Sequence, residues 1–458
     1  MMRRNPALAS LLAIPLAACA GPHVATTAVA PVAPPVAWRT AAGPTATLER
    51  DWWRAFGDPA LAALVERALA NNSDIGVAAA RVREARANVA LARAQTLPAI
   101  DATLGGGRSR SVNPFGQPGE QNFAQPQVQV AYEVDLFGRL DDQKAAARDQ
   151  YFASEAAHDA VRLSVAAAAA ANYVTLRGLD ARLEVARATV EARAESLRIA
   201  KSRVGSGYSP KLELEQAQAE YDATAQIVPQ IELAIARTED ALSLLVGDTP
   251  RAIGRGDTLA ALTVPPVPDG LPSELLRRRP DVAQAEYQLA ATDRNLAAAR
   301  KRFLPQLRLT SAAGAAFSTL LADPVTIWSV GGSILAPIFQ GGRLTAQADV
   351  AGAQRDQAAF AYRRTALTAF REVEDALAAV RLIDRQMLFA RSQRDALAEG
   401  LRLATNRYRE GYSPYLEQLD AQRGLLGAEL SLIQLRAEAL SARIQLFQAM
   451  GGGWTASR

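Results

Sequence analysis

The sequence has a single cysteine, Cys19, and two histidines, His23 and His158, in 458 residues. A lone thiol closes no intrachain disulfide, and two histidines so far apart offer no metal-ligand spacing. There is no Gly-rich phosphate loop and no nucleophile set beside a base, so an enzyme is disfavoured and no cofactor or metal is expected. Aromatic residues are few, at 6%. Much of the 49% hydrophobic content is alanine in periodic, polar-interrupted runs, which argues against a large greasy core.

Charge of one sign is missing too. The 51 basic and 47 acidic residues leave a net charge of +4, and the pI of 9.3 comes from charges that alternate along helices, as in Arg81, Arg83, Glu84 and Arg86. These read as solvated helix faces rather than a nucleic-acid surface. The one tight basic cluster, Arg277-Arg278-Arg279, reads as a helix end before Pro280 rather than a phosphate site.

At the N-terminus, Arg3 and Arg4 precede an apolar stretch, Ala7 to Ala18, that is too short to span a bilayer but right for an export signal. Leu16-Ala17-Ala18-Cys19 resembles a bacterial lipobox, whose cysteine receives diacylglycerol and palmitate. An ordinary signal with an idle thiol is the alternative. Ala20, where an Asp would favour the inner membrane, points to the outer membrane. Pro, Ala, Thr and Val then dominate to about Thr47, which predicts an extended tether.

From Asp51 the chain says the same thing twice. A helical pattern from about Pro59 to Leu97, interrupted at Asn71-Asn72-Ser73, gives way at Pro98 to period-two alternation. Ile100, Ala102 and Leu104 predict one strand, and Val128, Val130, Tyr132, Val134 and Leu136 a second. Strands of about ten residues suit a bilayer, though a half-buried soluble sheet alternates identically. Arg139 to Arg203 then predicts one helix of roughly 100 Å at 1.5 Å per residue. A return helix from Pro210 to Val246 carries Pro229, where a kink or a stacking break between two helix pieces is expected. In the second half Leu307, Leu309, Ser311 and Ala313 form a weak strand, and Trp328, Val330, Gly332, Ile334, Ala336 and Ile338 a fourth. The final helix carries a seam at Leu419, Leu426, Leu430, Ile433, Leu440, Ile444 and Phe447.

Both long helices end in the same words, Gly207-Tyr208-Ser209-Pro210 and Gly411-Tyr412-Ser413-Pro414. The glycines fit a left-handed helix end, the serines an N-cap and the prolines a first helical position, so each reads as a tight αα-hairpin.

These tips, the lipobox, Trp52-Trp53 with Phe56 and Asp58-Pro59, Leu419-Asp420-Ala421-Gln422, and Gly270-Leu271-Pro272-Ser273-Glu274-Leu275-Leu276-Arg277-Arg278-Arg279-Pro280-Asp281 together resemble a TolC-family outer-membrane factor of the NodT/OprM-like lipoprotein branch. The resemblance covers essentially the whole chain. It implies a mainly α fold with a small β part and a duplicated helix-strand-strand-long helix-helix plan. It further implies a homotrimer in a Gram-negative outer membrane, with an α-helical periplasmic tunnel and a shared 12-stranded β-barrel. The implied partners are a periplasmic adaptor (a membrane fusion protein), an inner-membrane RND pump and outer-membrane lipid. Tripartite drug efflux is the implied function, and a type I protein secretion conduit the alternative. Independently of any relative, four strands cannot close a barrel; two chains would give eight strands and a filled interior, three would give twelve and room for a pore.

The domain division expected is a signal peptide (1–18), a lipidated tether (19–50), a first repeat (51–246), a linker (247–272) and a second repeat (273–458). The resemblance places the carboxylate of Asp420 at the narrowest point of the tunnel and makes Tyr408 part of the closure. Glu417 and its counterpart Glu213 either join that gate or complement helix dipoles. Ser413 and Pro414 stand where relatives carry a basic residue, so the ties are expected to differ here. The tips themselves are expected to face the adaptor.

Overall fold

The protein is described by a computed structural model covering residues 26, 27, 29, 31–39, 45, 46, 49–112, 115–268 and 270–455. The signal peptide, Cys19 and parts of the tether lie outside the described residues. The first half runs α1 (Pro59–Asn71), α2 (Ser73–Ala94), β1 (Ala99–Val112), β2 (Pro118–Val134), α3 (Arg139–Gly205), α4 (Lys211–Ala225) and α5 (Ile227–Leu245). The second runs α6 (Pro272–Arg278), α7 (Pro280–Lys301), β3 (Gln306–Ser318), β4 (Val325–Leu335), α8 (Arg343–Arg409) and α9 (Tyr415–Ala449). The fold is mainly α with a four-stranded sheet and a short parallel pairing of Thr45–Ala46 with Val267–Pro268, on the duplicated plan.

Local chemistry sets the boundaries. Asp58 caps α1, its Oδ1 accepting from the Ala60 and Leu61 amides at 2.7 and 3.4 Å, with Pro59 opening the helix. Asn72 does the same for α2, accepting from Asp74 at 2.9 Å. The return helix breaks at Gln226 rather than at Pro229. A proline ring crowds the carbonyl four residues before it, so the interruption falls one turn upstream, after Ala225.

By packing the chain forms two compact units, each drawn from both halves. One comprises Ala80–Glu155 and Gln284–Arg364 with the described residues up to Pro31; the other comprises Val32–Ala79, Ala156–Ala283 and Thr365–Arg458.

The first unit holds an antiparallel sheet in the order β1-β2-β3-β4. Cross-strand partners share a face, so the register can be read straight across it. Ile100 pairs with Val130, Val130 with Ser311, and Ser311 with Val330; Ala102 leads through Val128 and Ala313 to Trp328. The neighbouring rows run Asp101–Gln129–Ala312–Ser329 and Thr103–Gln127–Gly314–Ile327. One face is therefore predominantly apolar across all four strands, and the other predominantly polar. The apolar side chains are largely open, with Trp328, Val330 and Ile334 each more than 70% exposed.

The strands are longer than the alternation predicted, at 14, 17, 13 and 11 residues. The stretch between Leu104 and Val128, which carries no alternation, is mostly ladder, pairing Gly105 with Gln125 and Val112 with Pro118. Backbone pairing of polar residues leaves no hydropathy signature, which is why the sequence hid it.

The second unit is built on buried aromatics and alanine. Trp52, Phe56 and Phe447 meet at ring distances of 5.4–6.3 Å over Leu61, Val65, Tyr173, Leu440 and Ile444. On α3, Ala166, Ala167, Ala169 and Ala170 are all nearly inaccessible, so the alanine richness lets helix backbones approach closely. Deep in this core Asp58, 2% exposed, also accepts from the Tyr173 hydroxyl at 2.6 Å and the Asp257 amide at 3.2 Å. Burial, reinforced by Asp58, holds the Tyr173 phenol protonated.

Helix α6 ends before Pro280 as predicted, but Arg279 does more than mark a helix end. Its buried guanidinium meets Asp281 at 2.7 Å, Glu372 at 2.7 Å and the Ala449 carbonyl at 3.0 Å. The tether residues Trp38 and Arg39 dock on this unit too, Trp38 Nε1 donating to the Gly270 carbonyl at 2.9 Å and the Arg39 amide to Glu374 at 2.7 Å.

Candidate functional site: the paired hairpin tips

Both tips close in the same way. Gly207 and Gly411 have φ of +73° and +80°, where a Cβ would be strained. The Tyr208 amide reaches back to the Arg203 carbonyl and the Tyr412 amide to that of Arg407, each at 2.8 Å, the Schellman closure. The N-caps are shifted by one residue from expectation. Pro210 and Pro414, both extended (ψ 152° and 159°), occupy the cap, and the helices start at Lys211 and Tyr415. Ser209 and Ser413 therefore do not cap, and the Ser413 hydroxyl is buried without a partner. Tyr208 and Tyr412 at the apices are 89% and 79% exposed.

Behind the apices the two hairpins are joined side by side. Leu197, Ala200, Ala217, Tyr415 and Leu419 form a small apolar cluster against which Tyr408 packs. The Tyr408 ring packs at a tilt against Tyr415, with centroids 5.6 Å apart, and lies 4.9 Å beneath the Arg203 guanidinium. Its hydroxyl donates to Glu213 of the other hairpin. Burial and then Glu213 push the Tyr408 phenol up to about 12, so it remains the donor.

One to two turns further in lies a second tie that sequence reasoning missed. Glu220 accepts from Arg423 Nε at 2.7 Å and sits 3.5 Å from Arg193 Nε. The side chains of Arg193 and Glu220 are only 4% and 6% exposed, and burial lowers the arginine's pKa. The three come from α3, α4 and α9, so only folding brings them together. The one sequence signal was a charge at a core position, as Arg193 and Glu220 show; Arg423 is 53% exposed and gave none.

Of the acidic residues named from sequence, the structure joins Glu213 to Tyr408 and sets Glu417 3.3 Å from Arg407. Asp420 stands exposed on α9.

The family model described as "Outer membrane efflux protein" matches twice, over residues 64–248 and 271–452. The chain belongs to the outer membrane efflux protein family. The two matched stretches follow the two halves of the duplicated plan. Among relatives, the chain is 35% identical over 410 residues to the solvent efflux pump outer membrane protein SrpC of Pseudomonas putida, covering 88% of this chain and 87% of that one. It is 32% identical over 440 residues to the pyoverdine export outer membrane protein OpmQ of Pseudomonas aeruginosa, covering 93% of each. The MtrE outer membrane channel of Neisseria gonorrhoeae, solved in its open state, superposes with a TM-score of 0.82 at 28% identity, over 94% of this chain and 98% of that one. Within the outer membrane efflux protein family, the tip motifs and the four-stranded sheet are thus parts of a transport protein of the outer membrane.

Proposed function

We propose that this efflux protein works as a homotrimeric duct, each chain contributing its four strands to one 12-stranded barrel and its helices to a periplasmic tunnel. The supporting observation is a sheet with a predominantly apolar face and two edges, β1 and β4, that find no partner strand among the described residues. In lipid an open edge costs several kcal/mol for each unpaired backbone group, so the edges call for copies of the same chain. The apolar rows ending in Trp328, Val330 and Ile334 would face lipid and the polar rows the lumen.

On this reading the protein is a passage rather than an enzyme, fed by an inner-membrane pump of the RND type through a periplasmic adaptor that grips the exposed tips at Tyr208 and Tyr412. Relatives named for solvents and for pyoverdine favour small-molecule cargo over protein secretion. Cys19 would carry the diacylglycerol and palmitate anchor. Tyr408 and Glu213 would latch the closed tips, with Asp420 and Glu417 lining the opening.

Two measurements test this. Light scattering of detergent-purified protein should give a trimer, and planar bilayers should show discrete conductance steps. A monodisperse monomer, or a trimer without conductance, refutes it.

A further inference from the structure

We propose that α8 and α9, beyond forming the tunnel wall, build a binding subsite for a small organic anion with an apolar body. The two helices run antiparallel from the second tip, so a step of seven residues along one is matched by a step of seven back along the other. Asp384 on α8 meets Arg443 on α9 at 2.7 Å. Seven residues nearer the tip the corresponding pair is Arg391 and Arg436, and opposite charges have become like charges.

Neither arginine has a carboxylate within ion-pair distance among the described residues. Arg436 is held by backbone carbonyls, that of Leu262 at 2.6 Å and that of Ala260 at 3.5 Å. Asp384, the acid whose charge acts on Arg436, is already engaged by Arg443. Burial, and after it the charges of Arg391 and Arg443, lower the pKa of Arg436, as expected for a cation in uncompensated positive surroundings.

The like-charged pair borders a cavity of about 320 Å³ whose remaining wall is apolar and includes Leu259, Met387, Leu432 and Ile433. A cavity of that size takes a one- or two-ring molecule, and Met387 gives it an adaptable wall. Two guanidinium groups at the rim of an apolar chamber suit a carboxylate or sulfonate on an aromatic or short aliphatic body. A neutral solute of the same shape would leave the charges uncompensated.

The test is calorimetric titration of the full-length protein, purified in non-ionic detergent, with 2-naphthoate and with the neutral 2-naphthamide. Wild type should bind one naphthoate per chain, about tenfold or more tighter than the amide, as charge-assisted hydrogen bonds require. The double variant Arg391→Gln with Arg436→Gln should lose that preference while still binding the amide. Arg391→Glu, which copies the Asp384–Arg443 pairing, should abolish naphthoate binding and leave the thermal midpoint at or above that of wild type. Equal affinity for acid and amide in wild type, absence of saturable binding, or retention of the preference by the double variant would each overturn the subsite.

Discussion

Replacing Tyr408 by Phe removes one oxygen atom from the latch between the two hairpin tips. The ring contacts with Tyr415 and Arg203 survive, so the apolar cluster is left intact and only the hydrogen bond to Glu213 is lost. That bond is charge-assisted and its acceptor is 9% exposed. In isolation such bonds contribute about 1.5–3 kcal/mol, and the partial exposure of Tyr408 discounts this to about 1–2 kcal/mol, a factor of about 5–30 in the local opening equilibrium. Amide exchange at residues 204–216 and 404–418 should accelerate by that factor, and single-channel open probability should rise. Glu213→Gln keeps an acceptor for the hydroxyl and should show a smaller effect. The tie is also directional in pH. A phenol raised to about 12 contributes fully below its ordinary value near 10 and is lost only as pH climbs through about 12. Unchanged exchange and unchanged open probability in Tyr408→Phe would show that the tips are held by something else.

Other perturbations separate the tips from the core. Glu220→Gln leaves Arg193 buried without a counter-charge and should destabilise the hairpin pair by about 3 kcal/mol, read as a lower denaturation midpoint, whereas Arg423→Gln, at a 53% exposed position, should cost under about 1 kcal/mol. Asp58→Ala removes the α1 cap and strips the Tyr173 hydroxyl and Asp257 amide of their acceptor; about 2–4 kcal/mol and a clear fall in melting temperature are expected. Asp420→Ala should weaken cation selectivity and block by multivalent cations in bilayer recordings, and an unchanged reversal potential would remove this carboxylate from the conduction path. Cys19→Ser should abolish metabolic palmitate labelling, and a mature wild-type chain free of lipid would refute the lipobox reading.

Much of the architecture was legible because it rests on local physics. The repeat, the two 67-residue helices, the stops at Pro98 and before Pro280, and the Gly207 and Gly411 turns are written in short-range patterns of apolar period, capping residues and glycine. The lengths of β1 and β2 were not legible, since Gly105 to Val112 pairs through its backbone and carries no alternation. The N-caps at Pro210 and Pro414 displaced Ser209 and Ser413, a one-residue shift that side-chain preference does not resolve.

The candidate site divides along the same line. Glu213 and Glu417 could be named from their place beside the two turns, and Tyr408 and Asp420 from the family resemblance, because a motif fixes position along the chain. Which of them touch could not, since Tyr408 and Glu213 lie 195 residues apart. The same holds for the buried Arg193–Glu220 pair with the exposed Arg423 at its edge, and for Arg391 facing Arg436: each residue alone looks like one more charge on a solvated helix. Their meaning depends on the register in which helices pack side by side. Sequence determined the elements, their order and their turns; tertiary packing decided which charges were paired, buried or left facing their own kind.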